Sequence, residues 1–238
     1  MKKAIVIGAS SGIGKELAKV LSQSNYIVGL VARRRKLLKE LQQELSGKSF
    51  VKSFDVSLMN NCMHHLEDLI EEMNGVDLII ISAGCGFINP DLEYEKEKKT
   101  IDVNVLGFSA MINVAYNYFF KKGKGHIVGI SSIAAIRGGY DAPAYYASKA
   151  FISNYMEGLR IKAKKAKVPL YITDIKAGFV DTAMAQGEGL FWVASPEKAA
   201  LQIYKTITNK KDHAYITKRW RLIAWLLKVI PNCIYQRL

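Results

Sequence analysis

Proline is scarce in this chain, five residues in 238, and no stretch rich in Pro, Gly and Ser divides it, so one domain is the expectation. No low-complexity run and no repeat at a fixed period occurs, which excludes solenoid and propeller architectures. Cysteine is equally sparse. Cys62, Cys85 and Cys233 are odd in number and far apart; they do not describe a disulfide framework, and a reducing cytoplasm is the expected setting. The apolar run after Met1-Lys2-Lys3 ends at Gly8, too soon for the core of a signal peptide.

Acidic residues are in deficit. Asp and Glu number 21 against 34 Lys and Arg, giving a net charge of +13, which asks for an anionic partner. The cations are scattered over several helical faces, and no zinc-finger spacing or aromatic RNA-binding signature accompanies them, so no nucleic-acid partner is expected. Phosphate groups of a small molecule and anionic lipid head groups fit better. His64 and His65 beside Cys62 form no metal site on this reading, because adjacent histidines point to different faces of a helix.

What is present begins with Ala4 to Ile7, an apolar β-rich run, followed by Gly8-Ala9-Ser10-Ser11-Gly12-Ile13-Gly14 and a helical pattern from Lys15 to Ser22. Strand, glycine turn and helix in that order let backbone amides and the helix N-terminus receive a pyrophosphate. Tyr26 to Val31 is a second strand, and at its tip stand Ala32, Arg33, Arg34 and Arg35. A carboxylate there would bind a ribose 2′-hydroxyl, whereas arginines hold a 2′-phosphate with charge-assisted hydrogen bonds. This predicts NADP(H) over NAD(H).

Further strands are expected at Ser49 to Phe54, Val76 to Ile81, Gly125 to Ser131, Val168 to Ile175 and His213 to Thr217. Asp55 and Val56 follow the third; Asp55 either accepts from an adenine amino group or caps a helix. Ser82-Ala83-Gly84-Cys85-Gly86 closes the fourth, at the kind of strand end where ligands gather in open parallel sheets. A long helix is expected over Ile101 to Phe120, carrying Asn104, whose burial would hold a water or a kink.

Ser132 closes the fifth strand, and thirteen residues on comes Tyr145-Tyr146-Ala147-Ser148-Lys149. Residues four apart on a helix are neighbours on one face, so Tyr145 and Lys149 point into one cleft. A free phenol has a pKa of about 10, and a cation beside it favours the phenolate. After the sixth strand come Gly178, Val180 and Thr182, whose backbone and hydroxyl are placed to meet a nicotinamide amide. Met184 to Ala194 reads as a mobile apolar flap over the site. Ser195 and Pro196 cap the next helix.

The tail, 218–238, is amphipathic. Its longest stretch without a charge before Lys228 falls well short of the 20 or so residues that span a bilayer. Two readings compete: an interfacial helix in peripheral contact with a membrane, and a helix packed over a pocket or a subunit interface.

Gly8-x-x-x-Gly12-x-Gly14, Asn104, Ser132, Tyr145-x-x-x-Lys149 and the Gly178 to Thr182 segment, in this order and spacing, make residues 2 to 217 resemble the short-chain dehydrogenase/reductase family. The resemblance implies an α/β fold, a Rossmann-type doubly wound sandwich with a seven-stranded parallel sheet, in a catalytic domain spanning 1–217. It implies a homodimer or homotetramer, a nicotinamide cofactor, which the arginines after the second strand make NADP(H), and a small carbonyl or alcohol as substrate. Tyr145 is then the general acid, Lys149 binds the nicotinamide ribose and lowers the tyrosine pKa, Ser132 orients the carbonyl, and Asn104 supports a proton relay through water. Two positions depart from the family pattern: Ser82 stands where Asn often precedes Ala-Gly, and Ala177 where Pro usually precedes Gly178. The competing reading is a non-catalytic NADP-binding sensor or membrane-associated scaffold of the same fold.

Overall fold

The computed structural model describes residues 1–184 and 191–236, with the side chains of Met59 and Asn60 also outside the description. Seven parallel strands form one sheet: β1 (Lys3–Ile7), β2 (Ile27–Ala32), β3 (Ser49–Ser53), β4 (Leu78–Ile81), β5 (Gly125–Ser132), β6 (Leu170–Ala177) and β7 (His213–Ile216), in the order β3-β2-β1-β4-β5-β6-β7. The central strands are nearly continuous apolar runs, as a sheet covered on both faces requires. Ile5 and Ile7 pack toward one helical layer and Ala4 and Val6 toward the other, the period of two that a strand imposes.

The first layer holds α1 (Gly12–Gln23), α2 (Arg35–Glu44) and α7 (Pro196–Thr208), anchored by Leu17, Leu21, Leu38, Leu41 and Ile203. The second holds α3 (Met59–Glu72), α5 (Phe108–Lys122) and α6 (Pro143–Lys165), anchored by Leu66, Leu69, Phe108, Phe119 and Met156. All ten of these anchors are fully buried or within 2 % of it, each contributing about 1.5–3 kcal/mol of transfer free energy. Connections leave β1 toward β2 on one side and pass to β4 on the other. The strand order therefore reverses between β1 and β4, opening a crevice at their carboxyl ends.

The helix expected over Ile101 to Phe120 differs in detail. The helical run starts earlier, as α4 (Tyr94–Ile101), passes through a π-helical turn at Asp102–Gly107 and continues as α5. Such a turn shifts the backbone register by one residue and is often placed at functional sites. Asn104 lies inside it, fully buried. Ser195 Oγ accepts from Lys198 N at the start of α7, with Pro196 in its first turn.

The tail is two helices, α8 (Trp220–Val229) and α9 (Asn232–Tyr235), broken at Pro231. No helix among the described residues is long and apolar enough to cross a membrane. Of the expected flap, Ala185 to Leu190 lie outside the described residues. Its remainder is tied down: Ala194 N donates to Phe179 O at 3.0 Å, and Asp181 N to Ala194 O at 2.9 Å.

Candidate active site

A cleft of about 710 Å³ runs across the carboxyl ends of the strands. At one end, β1 stops at a turn where Gly8 adopts φ +95°, a conformation other residues rarely tolerate. A Cβ at Gly8 would stand 2.5 Å from Ala83 N, and one at Gly14 would stand 2.2 Å from Gly8 O. The turn is thus pressed against β4's exit and against its own helix. Ser11 makes no side-chain cap to α1, so the first amides of the helix remain free to receive an anion. Gly8, Ser10, Ser11, Gly12 and Ile13 line the cleft there; Gly14 does not, serving the helix packing instead.

Arg33 and Arg34 stand at the tip of β2, facing this turn. Arg34 Nη2 donates to Ser10 Oγ at 2.9 Å and to Ser11 Oγ at 2.7 Å. Arg33 pairs with Asp55 Oδ2 at 3.3 Å. Burial pushes the Asp55 carboxyl up, but hydrogen bonds from Ser57 N–H and its hydroxyl, with the Arg33 cation, outweigh that and hold it below its ordinary value. Asp55 closes the turn at Ser57 without capping α3, whose N-cap is Leu58, and steadies Arg33 at once. Val56, Ala83 and Gly84 complete this wall of the cleft.

At the other end stand Ser132, Tyr145 and Lys149. Ser132 closes β5, donating to Ala177 O at 3.2 Å and accepting from Ala134 N at 3.1 Å, so its oxygen is fixed by two strands and a turn. It also shares a hydrogen bond with the Tyr145 hydroxyl. Lys149 is one turn along α6, its Nζ 5.6 Å from the centre of the Tyr145 ring and donating to Ile130 O at 3.1 Å.

The electrostatics differ from the expectation. Burial pushes the Tyr145 phenol above its ordinary value, against the Ser132 hydrogen bond, which favours the phenolate. Lys149 does not lower it here. The lysine is itself brought down to about 8 by burial, although Asp174 and the Cys85 thiol oppose that shift. Desolvation penalises both charged forms and is the largest cause of each shift.

Asn104 does not line the cleft. Its Oδ1 accepts from Cys85 N at 2.9 Å, and its Nδ2 donates to Cys85 O at 2.7 Å and Ser148 Oγ at 3.0 Å. The side-chain amide is fully engaged, clamping the loop after β4 to the helix that carries Tyr145 and Lys149. The π turn aims it there. A Cβ built on Gly84 would lie 3.3 Å from its oxygen and 3.5 Å from Lys149 Nζ, so both side chains reach that glycine.

Gly178, Val180 and Thr182 line the cleft beyond β6. Ala177 keeps the strand going without proline, pairing with Ser132 and Ile216, so the turn begins only at Gly178. Gly178 carries the ring of Trp220: a Cβ there would meet Trp220 Nε1 at 2.1 Å. Trp220 gathers Phe179, Phe191 and Trp192, with ring centres 5.1 to 5.9 Å away. With Ile223, Leu227 and Tyr235, the rings of Trp220, Phe179 and Phe191 give the cleft an apolar roof, and Trp192 packs edge-on against Trp220. Of the two readings of the tail, the structure realises the one that covers the pocket.

Several contributors escaped the sequence. Arg137, after β5, donates to Leu227 O (3.4 Å), Ile230 O (3.2 Å) and Asn232 Oδ1 (2.7 Å), and its guanidinium stacks 4.3 Å over the Tyr235 ring. It clasps the C-terminal end of α8, where free carbonyls favour a cation. Beneath the site, fully buried Asp174 accepts from Ser131, from Ser153 at 2.8 Å and from Lys176. That ties β5, β6 and α6 together directly behind Ser132 and Lys149. No lone residue in the sequence signals either arrangement, because every partner except Lys176 lies far away along the chain. His64 and His65 face Glu67 and the Phe54 ring, and no group suited to a metal ion occurs among the described residues.

An all-parallel sheet of this order, with an anion-ready glycine turn at one end of the cleft and hydroxyl, phenol and ammonium at the other, defines an α/β dinucleotide-binding oxidoreductase. The chain belongs to the short chain dehydrogenase family, whose model matches residues 2–190. It is 33 % identical over 244 residues to an uncharacterized oxidoreductase of Myxococcus xanthus, covering 99 % of this chain and 95 % of that one. It is 33 % identical over 248 residues to one of Mycobacterium tuberculosis, covering 99 % and 96 %. Among solved structures, a short-chain type dehydrogenase/reductase from Mycobacterium marinum superposes with a TM-score of 0.78 at 21 % identity, covering 86 % of this chain and 87 % of that one. Membership brings a nicotinamide cofactor, NAD or NADP, and a small-molecule substrate.

Proposed function

We propose that this protein is an NADP(H)-dependent oxidoreductase acting between a carbonyl and its secondary alcohol on an apolar substrate, with Tyr145 as general acid in reduction and general base in oxidation. The observation that carries the reading is the convergence of Ser132, Tyr145 and Lys149 on one cleft, under an aromatic roof and opposite the Arg34 turn. When bound, the nicotinamide supplies or accepts the hydride.

The chain's residues do the rest. The amides of the Gly8 to Gly14 turn and the start of α1 hold the pyrophosphate, and Arg34 holds a 2′-phosphate. Lys149, freed from Ile130 O, reaches the ribose. Ser132, fixed by β6, holds the substrate oxygen beside the Tyr145 hydroxyl, which delivers its proton as charge develops there. Asn104 and Asp174 keep these groups in place from behind. The apolar roof excludes water and selects an apolar body. The reading includes a homodimer or homotetramer in a reducing cytoplasm, with 218–238 in peripheral contact with a membrane.

Initial rates with NADPH and with NADH over a panel of apolar and polar carbonyls test it. Wild type is expected to turn over apolar ketones or aldehydes with NADPH preferred, and Tyr145→Phe to lose about 10²-fold or more. Cofactor binding without turnover on any carbonyl would replace the enzyme with a sensor or scaffold.

A further inference from the structure

Helix α8 is apolar on two faces. Trp220, Ile223, Ala224 and Leu227 turn inward, the first and third nearly fully buried. Leu222, Trp225, Leu226 and Val229 repeat the same i, i+3, i+4, i+7 spacing outward and are 69, 66, 49 and 53 % exposed. A helix apolar all round is ordinarily surrounded by protein or lipid. Among the described residues nothing in the fold covers this outer face. It is extended at its start by Phe191 and Trp192, whose outer edges are exposed while their rings meet Trp220.

Charge decides what fits it. No Asp or Glu follows Asp212, while Lys218, Arg219, Arg221, Lys228 and Arg237 all do. Among the described residues none of the first four is held in an ion pair; Arg219 lies over the Trp192 ring instead, at 5.3 Å. A second copy meeting this face across a two-fold axis would set the same cations against one another. A lipid surface bearing anionic head groups satisfies both features, taking the aliphatic side chains at the acyl boundary, tryptophan at head-group level and the cations on phosphate. The Arg137 clasp and the seat of Trp220 on Gly178 hold the face in a fixed attitude to the cleft, whose roof is the other side of the same helix.

We propose that the outer face of α8 docks the protein on an anionic lipid surface, with Leu222, Trp225, Leu226 and Val229 inserted, so that the cleft draws its substrate from the lipid. The docking stands on the surface alone; the identity of the substrate as an apolar carbonyl rests on the function proposed above.

Co-sedimentation of full-length protein with vesicles of phosphatidylcholine, alone or mixed with phosphatidylglycerol, tests it. Binding to the mixed vesicles, weak binding to phosphatidylcholine alone and loosening by salt are expected. Leu222→Glu combined with Trp225→Glu should weaken binding about tenfold or more. Leu201→Glu, on the exposed side of α7, should bind as wild type does. The double variant should also keep its rate on a water-soluble ketone while losing rate on one dissolved in the vesicles. Wild type left in the supernatant, or a double variant that sediments like wild type, overturns the proposal. A concentration-dependent dimer abolished by the same double substitution assigns the face to a second copy and overturns it equally. Intact vesicle binding with no ketone reduced in any form supports the docking and defeats the enzyme reading alone.

Discussion

Replacing Arg34 by Ala removes the cation best placed to choose between the two nicotinamide dinucleotides. Arg33 is already committed to Asp55 at 3.3 Å, with its side chain 60 % exposed, a pair of little energetic weight. Arg34 pairs with no carboxylate among the described residues; its guanidinium rests on the hydroxyls of Ser10 and Ser11, which a phosphate would outbid. One charge-assisted hydrogen bond to a phosphate contributes about 1.5–3 kcal/mol, or roughly tenfold to 150-fold in Kd. The contacts from the guanidinium to the Ser10 and Ser11 hydroxyls help both cofactors alike and weigh little at this exposed position. Fluorescence titration with NADPH and NADH should therefore show the NADPH affinity falling by at least tenfold more than the NADH affinity, and the wild-type preference shrinking as salt rises. Equal weakening for both cofactors would refute the reasoning and reduce Arg34 to a tether of the glycine turn.

Three further outcomes follow from the buried groups. Lys149 is brought down to about 8, so kcat/KM for reduction should fall as pH rises through about 8; Asp174→Asn, which removes a charge that holds the lysine up, should move that limb to lower pH, and an unmoved limb would detach Asp174 from the site. His126, buried against Thr173, is lowered to about 4 from 6.5. Its folded value lies below its unfolded one, so its stabilisation is complete above 6.5 and is lost as pH falls toward 4, by up to about 3 kcal/mol; urea midpoints should drop across that window and flatten in His126→Asn. Gly178→Ala drives a methyl into the Trp220 indole and should cost about 1–3 kcal/mol, read as a lower Tm with tryptophan emission shifted toward that of exposed indole.

What the sequence disclosed was local. The glycine turn sits between a strand and a helix, and Tyr145 and Lys149 are one helical turn apart, so both were visible as spacing. The seven strands followed from apolar runs that a doubly covered sheet requires, with boundaries moving by a residue or two at most places. Asn104 was identified, with a water or a kink as its expected task, but a π turn leaves no mark in composition, and only the fold shows its amide engaged by Cys85 and Ser148. The expected depression of the Tyr145 pKa failed because spacing reports proximity and says nothing of desolvation. Arg137 and Asp174 bind partners up to 95 and 43 residues away, beyond any periodicity. The tail's pattern fitted two readings because α8 has two apolar faces: the inner one covers the pocket, and the outer one is exposed.

The central claim is that Tyr145 passes a proton while hydride moves between nicotinamide and a carbonyl carbon in this cleft. The most direct measurement offers the protein NADPH carrying deuterium at its transferable position together with an apolar ketone, and analyses the product by mass spectrometry. The account predicts an alcohol labelled at the carbinol carbon from wild type, and a yield lower by about 10²-fold or more from Tyr145→Phe. Unlabelled alcohol, or equal labelled yields from the two proteins, would contradict it.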